Sequence, residues 1–217
     1  MKQPKIVGSP GRKIGRPLSF DRATALEEAM VTFWRHGYET TSIVDLTTAM
    51  GVSAPSLYAA FGDKKRLFLE AARRYAGDPE ATAQAIEGAP SAYDAARSML
   101  TSAAVAYTGE ATPRGCLLAS ATASGSAASS DVRSAIAEIR SSMMASLEVR
   151  IGRDVSNGAL PRDTDHAALA GLVMAVAQGM SVLARDGASR ACLLAIVDAT
   201  LVAWPRGSDR SRRAPQG

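Results

Sequence analysis

Residues 41–61, TSIVDLTTAMGVSAPSLYAAF, constrain this chain more than any other stretch, because they read as two short helices joined by a tight turn. In the first, Ile43, Leu46 and Met50 recur at helical spacing and fall on one face. Thr41 stands where it can cap the helix start by accepting a bond from an unpaired backbone N–H. Gly51 follows Met50, where a helix ends at least cost in the left-handed conformation. Val52 can then plug the angle between the helices. Ser53 is placed to cap the second helix, and Pro55 falls in its first turn, where a missing N–H costs little. That helix turns Leu57 and Phe61 inward and leaves Ala54, Ser56, Tyr58 and Ala59 toward its open side. This is helix-turn-helix spacing, with the second helix suited to a DNA groove.

The flanks add to the motif. Asp21 to His36 form an amphipathic helix with Leu26, Ala29, Met30 and Phe33 on one stripe, ended by Gly37. Gly62-Asp63-Lys64-Lys65 opens a fourth helix carrying Leu67, Phe68, Ala71, Ala72 and Tyr75. The succession GRP…AL…A…FW..GY..TS…L…MGVS..SLY..FG.K..LF, over about residues 15–76, resembles the DNA-binding domain of the TetR family of bacterial repressors. The remainder is similar to that family only in being helical and of suitable length.

Charge agrees with a DNA-facing end. Up to Gly77 the chain holds twelve Lys and Arg against seven Asp and Glu; the rest holds thirteen against fourteen. Positive charge thus gathers where the motif lies, as a phosphate-facing surface requires. The 217 residues are rich in Ala and poor in aromatics, with few β-branched runs, which predicts an all-α protein. The expected architecture is a three-helix, homeodomain-like helix-turn-helix module followed by a larger helical domain, about nine helices in all. Residues 1–18 read as a disordered basic arm, 19–62 as the DNA-binding domain, 63–204 as the helical domain for effector binding and dimerisation, and 205–217 as a disordered basic tail.

Within the motif, the hydroxyls of Ser53, Ser56 and Tyr58 can reach phosphates or base edges; phosphate contacts position a protein, and base edges specify sequence. Ala54 and Pro55 could read DNA only through apolar contact, for example with a thymine methyl. Thr41 and Ser42 open a helix and should meet the backbone. Lys64 opens another, where backbone N–H groups add to phosphate binding. The resemblance implies that Tyr58 and Lys64 hold phosphates; packing is the alternative for Tyr58. Arg16, just before Pro17, could enter the minor groove as basic arms do. Double-stranded operator DNA is the expected partner.

Gly171, Ala175 and Gly179 recur every four residues and give a smooth ridge for close helix approach, flanked by Leu183. Leu194, Val197 and Leu201 make a stripe on the last helix. The resemblance implies that these two helices pair with their copies in a homodimer; packing within one chain is the alternative. The stretch 167–184 is nearly long enough to span a membrane, but Gln178, Ser181 and its many Ala and Gly favour a buried interface helix, so no membrane is expected.

Met99, Tyr107, Cys116, Met143, Met144 and Met174 are candidates to line a pocket for a small apolar or amphipathic effector, since Met adapts to ligands; plain core is the other reading. Cys116 follows Arg114-Gly115 at a helix start, which favours a thiolate and allows electrophile or oxidant sensing instead. With Cys116 and Cys192 the only cysteines, and basic residues but no apolar segment at the N-terminus, a reduced cytoplasm is the expected home. His36 and His166 are the only histidines, and no nucleophile elbow, phosphate loop or metal-ligand spacing occurs, so no catalytic residue, metal or cofactor is expected. A helical enzyme and a non-specific architectural DNA binder are the competing classes.

Overall fold

A computed structural model describes residues 20–120 and 130–205. Among these the chain is helical throughout, as ten helices: α1 (Arg22–His36), α2 (Ile43–Met50), α3 (Ala54–Phe61), α4 (Lys64–Ala76), α5 (Pro79–Glu87), α6 (Ala92–Tyr107), α7 (Leu117–Ser120), α8 (Ser130–Ser156), α9 (His166–Arg185) and α10 (Arg190–Val202). The helix starts arise from side chains that satisfy orphan N–H groups. Asp21, Ser42, Ser53, Asp63, Asp78, Ser91, Asp165 and Ser189 each accept a bond from a backbone N–H in the first turn they precede.

Sequence periodicity misses α5. Its start carries the usual signals, Asp78 as cap and Pro79 at the first helical position, but only Ile86 is buried, so no apolar stripe announces it. Helix α2 is capped by Ser42 rather than Thr41. Ser42 accepts from Asp45 N at 3.1 Å, and its own N–H donates to the Asp45 carboxylate at 2.8 Å, a reciprocal capping box. The basic arm with Arg16 and the basic tail lie wholly or mostly outside the described residues.

An aromatic knot fixes the first four helices. Phe33 of α1 meets Phe68 of α4 edge-on at 5.0 Å, and Tyr38 packs against the same ring at 5.0 Å. Leu46, Leu57 and Leu67 are fully buried around it. Arg22 adds a clamp, donating twice to the Glu70 carboxylate (2.6 and 2.8 Å) while its guanidinium lies 4.4 Å from the Phe61 ring centre. Helix α4 therefore belongs to this core as much as to the C-terminal helices.

The remaining helices close around α6, α8 and α9. Val132, Ile136, Leu147 and Ile151 form the buried stripe of α8. A buried polar latch holds the end of α8 to the turn before α6: Arg150 pairs with Asp154, donates to the carbonyls of Ala89 (3.1 Å) and Pro90 (3.0 Å), and Asp154 accepts from Ala92 N at 2.7 Å.

Candidate nucleic-acid interface

Gly51, between α2 and α3, sits in the left-handed region at φ 65°, and its N–H returns to Thr48 O at 3.3 Å. That reversal sets α3 across α2 with Leu57 and Phe61 buried. The opposite side of α3 faces outward: Pro55, Ala59 and Tyr58 are exposed, and Ala54 and Ser56 are half-exposed. The Ser53 and Ser56 hydroxyls lie 2.9 Å apart at the helix start. Ser42 is exposed at the start of α2. Tyr58 is nearly half exposed at 48%.

Thr41 does not join this surface. It is buried, and its hydroxyl donates to Gly37 O at 2.6 Å, so it holds the loop between α1 and α2 instead. The expectation that it caps α2 and meets the DNA backbone is corrected by this placement.

Lys64 opens α4 beside the same surface. Its ammonium lies 4.7 Å from the Tyr38 ring centre and donates to Glu39 O at 3.3 Å. Burial pulls its pKa down, with Glu39 and Asp45 acting against that. Partial desolvation over an aromatic face leaves a positioned cation with spare donor capacity, suited to one phosphate oxygen. Tyr38, the platform, has its own hydroxyl pushed up by burial, with Glu39 adding to the rise. Sequence spacing gives Tyr38 and Glu39 no role, because no local pattern links them to a lysine so far along the chain.

The six pocket candidates do not share one cavity. Cys116 and Tyr107 come together with Tyr75, whose hydroxyl also bears on Cys116. Burial pushes both phenols well above their usual range, with Cys116 as the next cause. Met143 lines a separate cavity between α4, α5 and α8, and Met99 lines an open groove between α5 and α6. Met144 and Met174 are half-buried. Single-helix periodicity cannot tell which helices meet, so the methionines scatter.

Cys116 is buried, and its N–H donates to Ser181 Oγ at 2.8 Å. The Arg114 guanidinium donates to Ala184 O at 2.7 Å and to Ala188 O, tying this loop to the end of α9. Gly115, at φ 81°, lets this loop press onto α9; a Cβ there would stand 2.8 Å from Ser181 O. Cys116 directly precedes helix α7, whose course beyond Ser120 lies outside the described residues.

On α9, Gly171 and Gly179 face open space and Ala175 is exposed. Leu172, Val182 and Leu183 are exposed beside them. Leu194 is half-buried. Val197 and Leu201, expected on the same interface, are instead buried in the chain's own core, because α10 packs its stripe inward against α6. Helix α9 is long and apolar enough to cross a membrane, yet only 28% of its apolar window is buried within the chain.

Residues 25–71 match the family model for bacterial regulatory proteins of the TetR family, and residues 93–199 match that of the tetracyclin repressor-like C-terminal domain. The HTH-type transcriptional repressor ComR of Escherichia coli (strain K12) is 35% identical over 193 residues, covering 88% of this chain and 92% of ComR. A cysteine mutant of the TetR-family regulator CifR, solved with 26-base-pair double-strand operator DNA, is 41% identical at a TM-score of 0.82, covering 88% of this chain and all of that one. A TetR regulator from Rhodococcus sp. RHA1 is 36% identical at a TM-score of 0.58, covering 86% of this chain and all of that one. The chain belongs to the TetR family and is a DNA-binding transcriptional regulator, not an enzyme.

Proposed function

We propose that the protein is a homodimeric repressor that holds double-stranded operator DNA through α3, Ser42 and Lys64, and that a small-molecule effector releases it. The observation that carries this reading is the outward side of α3, with Tyr58 exposed on it and Lys64 positioned beside it over the Tyr38 ring. Ser42, Ser53, Ser56 and Tyr58 supply phosphate and base-edge contacts, and Pro55 and Ala54 supply apolar ones. Arg16 of the basic N-terminal segment supplies a minor-groove contact in this reading.

One helix-turn-helix unit reads one half-site, so an operator-binding protein needs a second copy. The open ridge of Gly171, Ala175 and Gly179 with exposed Leu172, Val182 and Leu183 supplies a self-complementary apolar face that soluble chains normally cover. The protein works where its DNA is, in the cytoplasm.

Effector release requires a ligand that prefers a state whose recognition helices are wrongly spaced. Helix α4 is the lever, since it carries Lys64 at one end and packs on α8 along its length. A gel shift with the DNA upstream of the protein's own coding region tests the reading. Specific retention under excess competitor DNA supports it; loss of the complex with competitor would leave only non-specific DNA binding.

A second reading makes Cys116 the sensor. The observation favouring it is the pair of phenols, Tyr75 and Tyr107, set against the thiol. The solved CifR complexes also carry cysteine substitutions. Treating wild type and Cys116→Ser with a mild electrophile decides it: release of wild type alone supports sensing, and equal behaviour leaves Cys116 as core.

A further inference from the structure

The described residues line a partly open cleft of about 240 Å³ between the end of α4, the start of α5 and the middle of α8. Ala76, Pro79, Ile139 and Met143 give it apolar walls, and Arg73 and Ser142 stand among its lining residues. The exposed Arg73 side chain has no ion-pair or hydrogen-bond partner among the described residues. A largely apolar cleft with an unpaired arginine among its lining residues fits an amphipathic anion, and the planar fork of Arg matches a carboxylate.

Volume narrows the class. An apolar cavity of about 150 Å³ holds benzene, so this one has room for a benzene ring with one or two small substituents. Methionine favours that choice, because its thioether packs well on ring edges. We propose that the cavity binds a monocyclic aromatic carboxylate, its ring between Ile139, Met143, Ala76 and Pro79 and its carboxylate on Arg73. The proposal rests on the effector-responsive reading and names the ligand class for it. It also explains the coupling: Arg73 and Ala76 lie at one end of the 13-residue helix α4, and Lys64 lies at the other. A ring wedged between α4 and α8 tilts that helix and shifts Lys64 on the DNA face.

The test uses the full-length protein with 4-methylbenzoate as probe and 4-methylacetophenone as its neutral counterpart, titrated calorimetrically without DNA. Wild type should bind the carboxylate, and Arg73→Gln should weaken it about tenfold or more while leaving the ketone unchanged. Ser142→Trp, which fills the cavity from its exposed rim, should weaken both. Addition of 4-methylbenzoate should also loosen wild type, but neither variant, from upstream DNA. No binding of the carboxylate by wild type, or binding untouched by either substitution, overturns the proposal. Absence of specific DNA retention with carboxylate binding intact overturns the regulator reading alone, because the titration contains no DNA.

Discussion

The Arg185 guanidinium donates to the carbonyl of Trp34 at 3.2 Å, joining the last turn of α9 to the last turn of α1. The same group reaches Cys116 O at 3.5 Å, and Trp34 meets Tyr75 edge-on at 4.8 Å. The helix with the open apolar ridge is thereby tied to the helix that backs the DNA module. Arg185→Met keeps the aliphatic stem and removes the donors. It should lower stability by about 1 kcal/mol, a charged bond discounted for its exposure. Operator binding should also become less sensitive to effector. Thermal unfolding and effector titration measure the two effects.

Gly115 gives a sharper version of that test. Alanine there meets both a positive φ and the Ser181 carbonyl at 2.8 Å, so the loop must move off α9. The strain of the left-handed backbone alone is about 1–3 kcal/mol. Gly115→Ala should therefore lower the melting temperature more than alanine at Gly158, which has the same sign of φ but open space around it.

The Arg150–Asp154 latch should behave as a buried pair. Removing Asp154 alone strands a buried guanidinium and leaves Ala92 N without its acceptor, so Asp154→Ala should cost about 3–5 kcal/mol. Replacing both, as Arg150→Met with Asp154→Leu, should recover part of that loss. Chemical denaturation of wild type and the two variants supplies the comparison, and a double variant no more stable than Asp154→Ala would contradict it.

Asp45 links the DNA module to pH. Its carboxyl is held below the usual range, first by the Ser42 backbone N–H and then by the Ser42 hydroxyl. A folded-state value below the unfolded one means that its contribution is present above the ordinary carboxylate range. It is lost as pH falls through the folded value. Asp45→Asn should thus show a shallower loss of stability on acidification than wild type, measured by thermal melts from neutral to acid pH. Equal pH slopes would show that the capping box gives no such linkage.

What the sequence made legible was local. The cap at Ser53, the turn at Gly51, and the inward Leu57 and Phe61 each depend on residues within one or two turns of each other. Thr41 and Ser42 differ by one position and both can cap; the reciprocal bond with Asp45 decides for Ser42. What escaped depends on helices distant in the chain. Tyr38 beneath Lys64, the inward turn of Val197 and Leu201, and the dispersal of Met99, Met143 and Met174 are set by how helices meet. Helix α5 escaped because Ile86 alone ties it to the core.

If the outward side of α3 and the cation beside it hold the operator, a salt series on three proteins shows it most directly. Wild type, Tyr58→Phe and Lys64→Met are compared for affinity to the upstream DNA at several salt concentrations, with thermal melts alongside. Both variants should bind more weakly with folding intact. Lys64→Met should also reduce the slope of log affinity against log salt by about one, the signature of one lost phosphate contact. Unchanged affinity and unchanged slope in both variants would contradict this assignment of the DNA-holding surface.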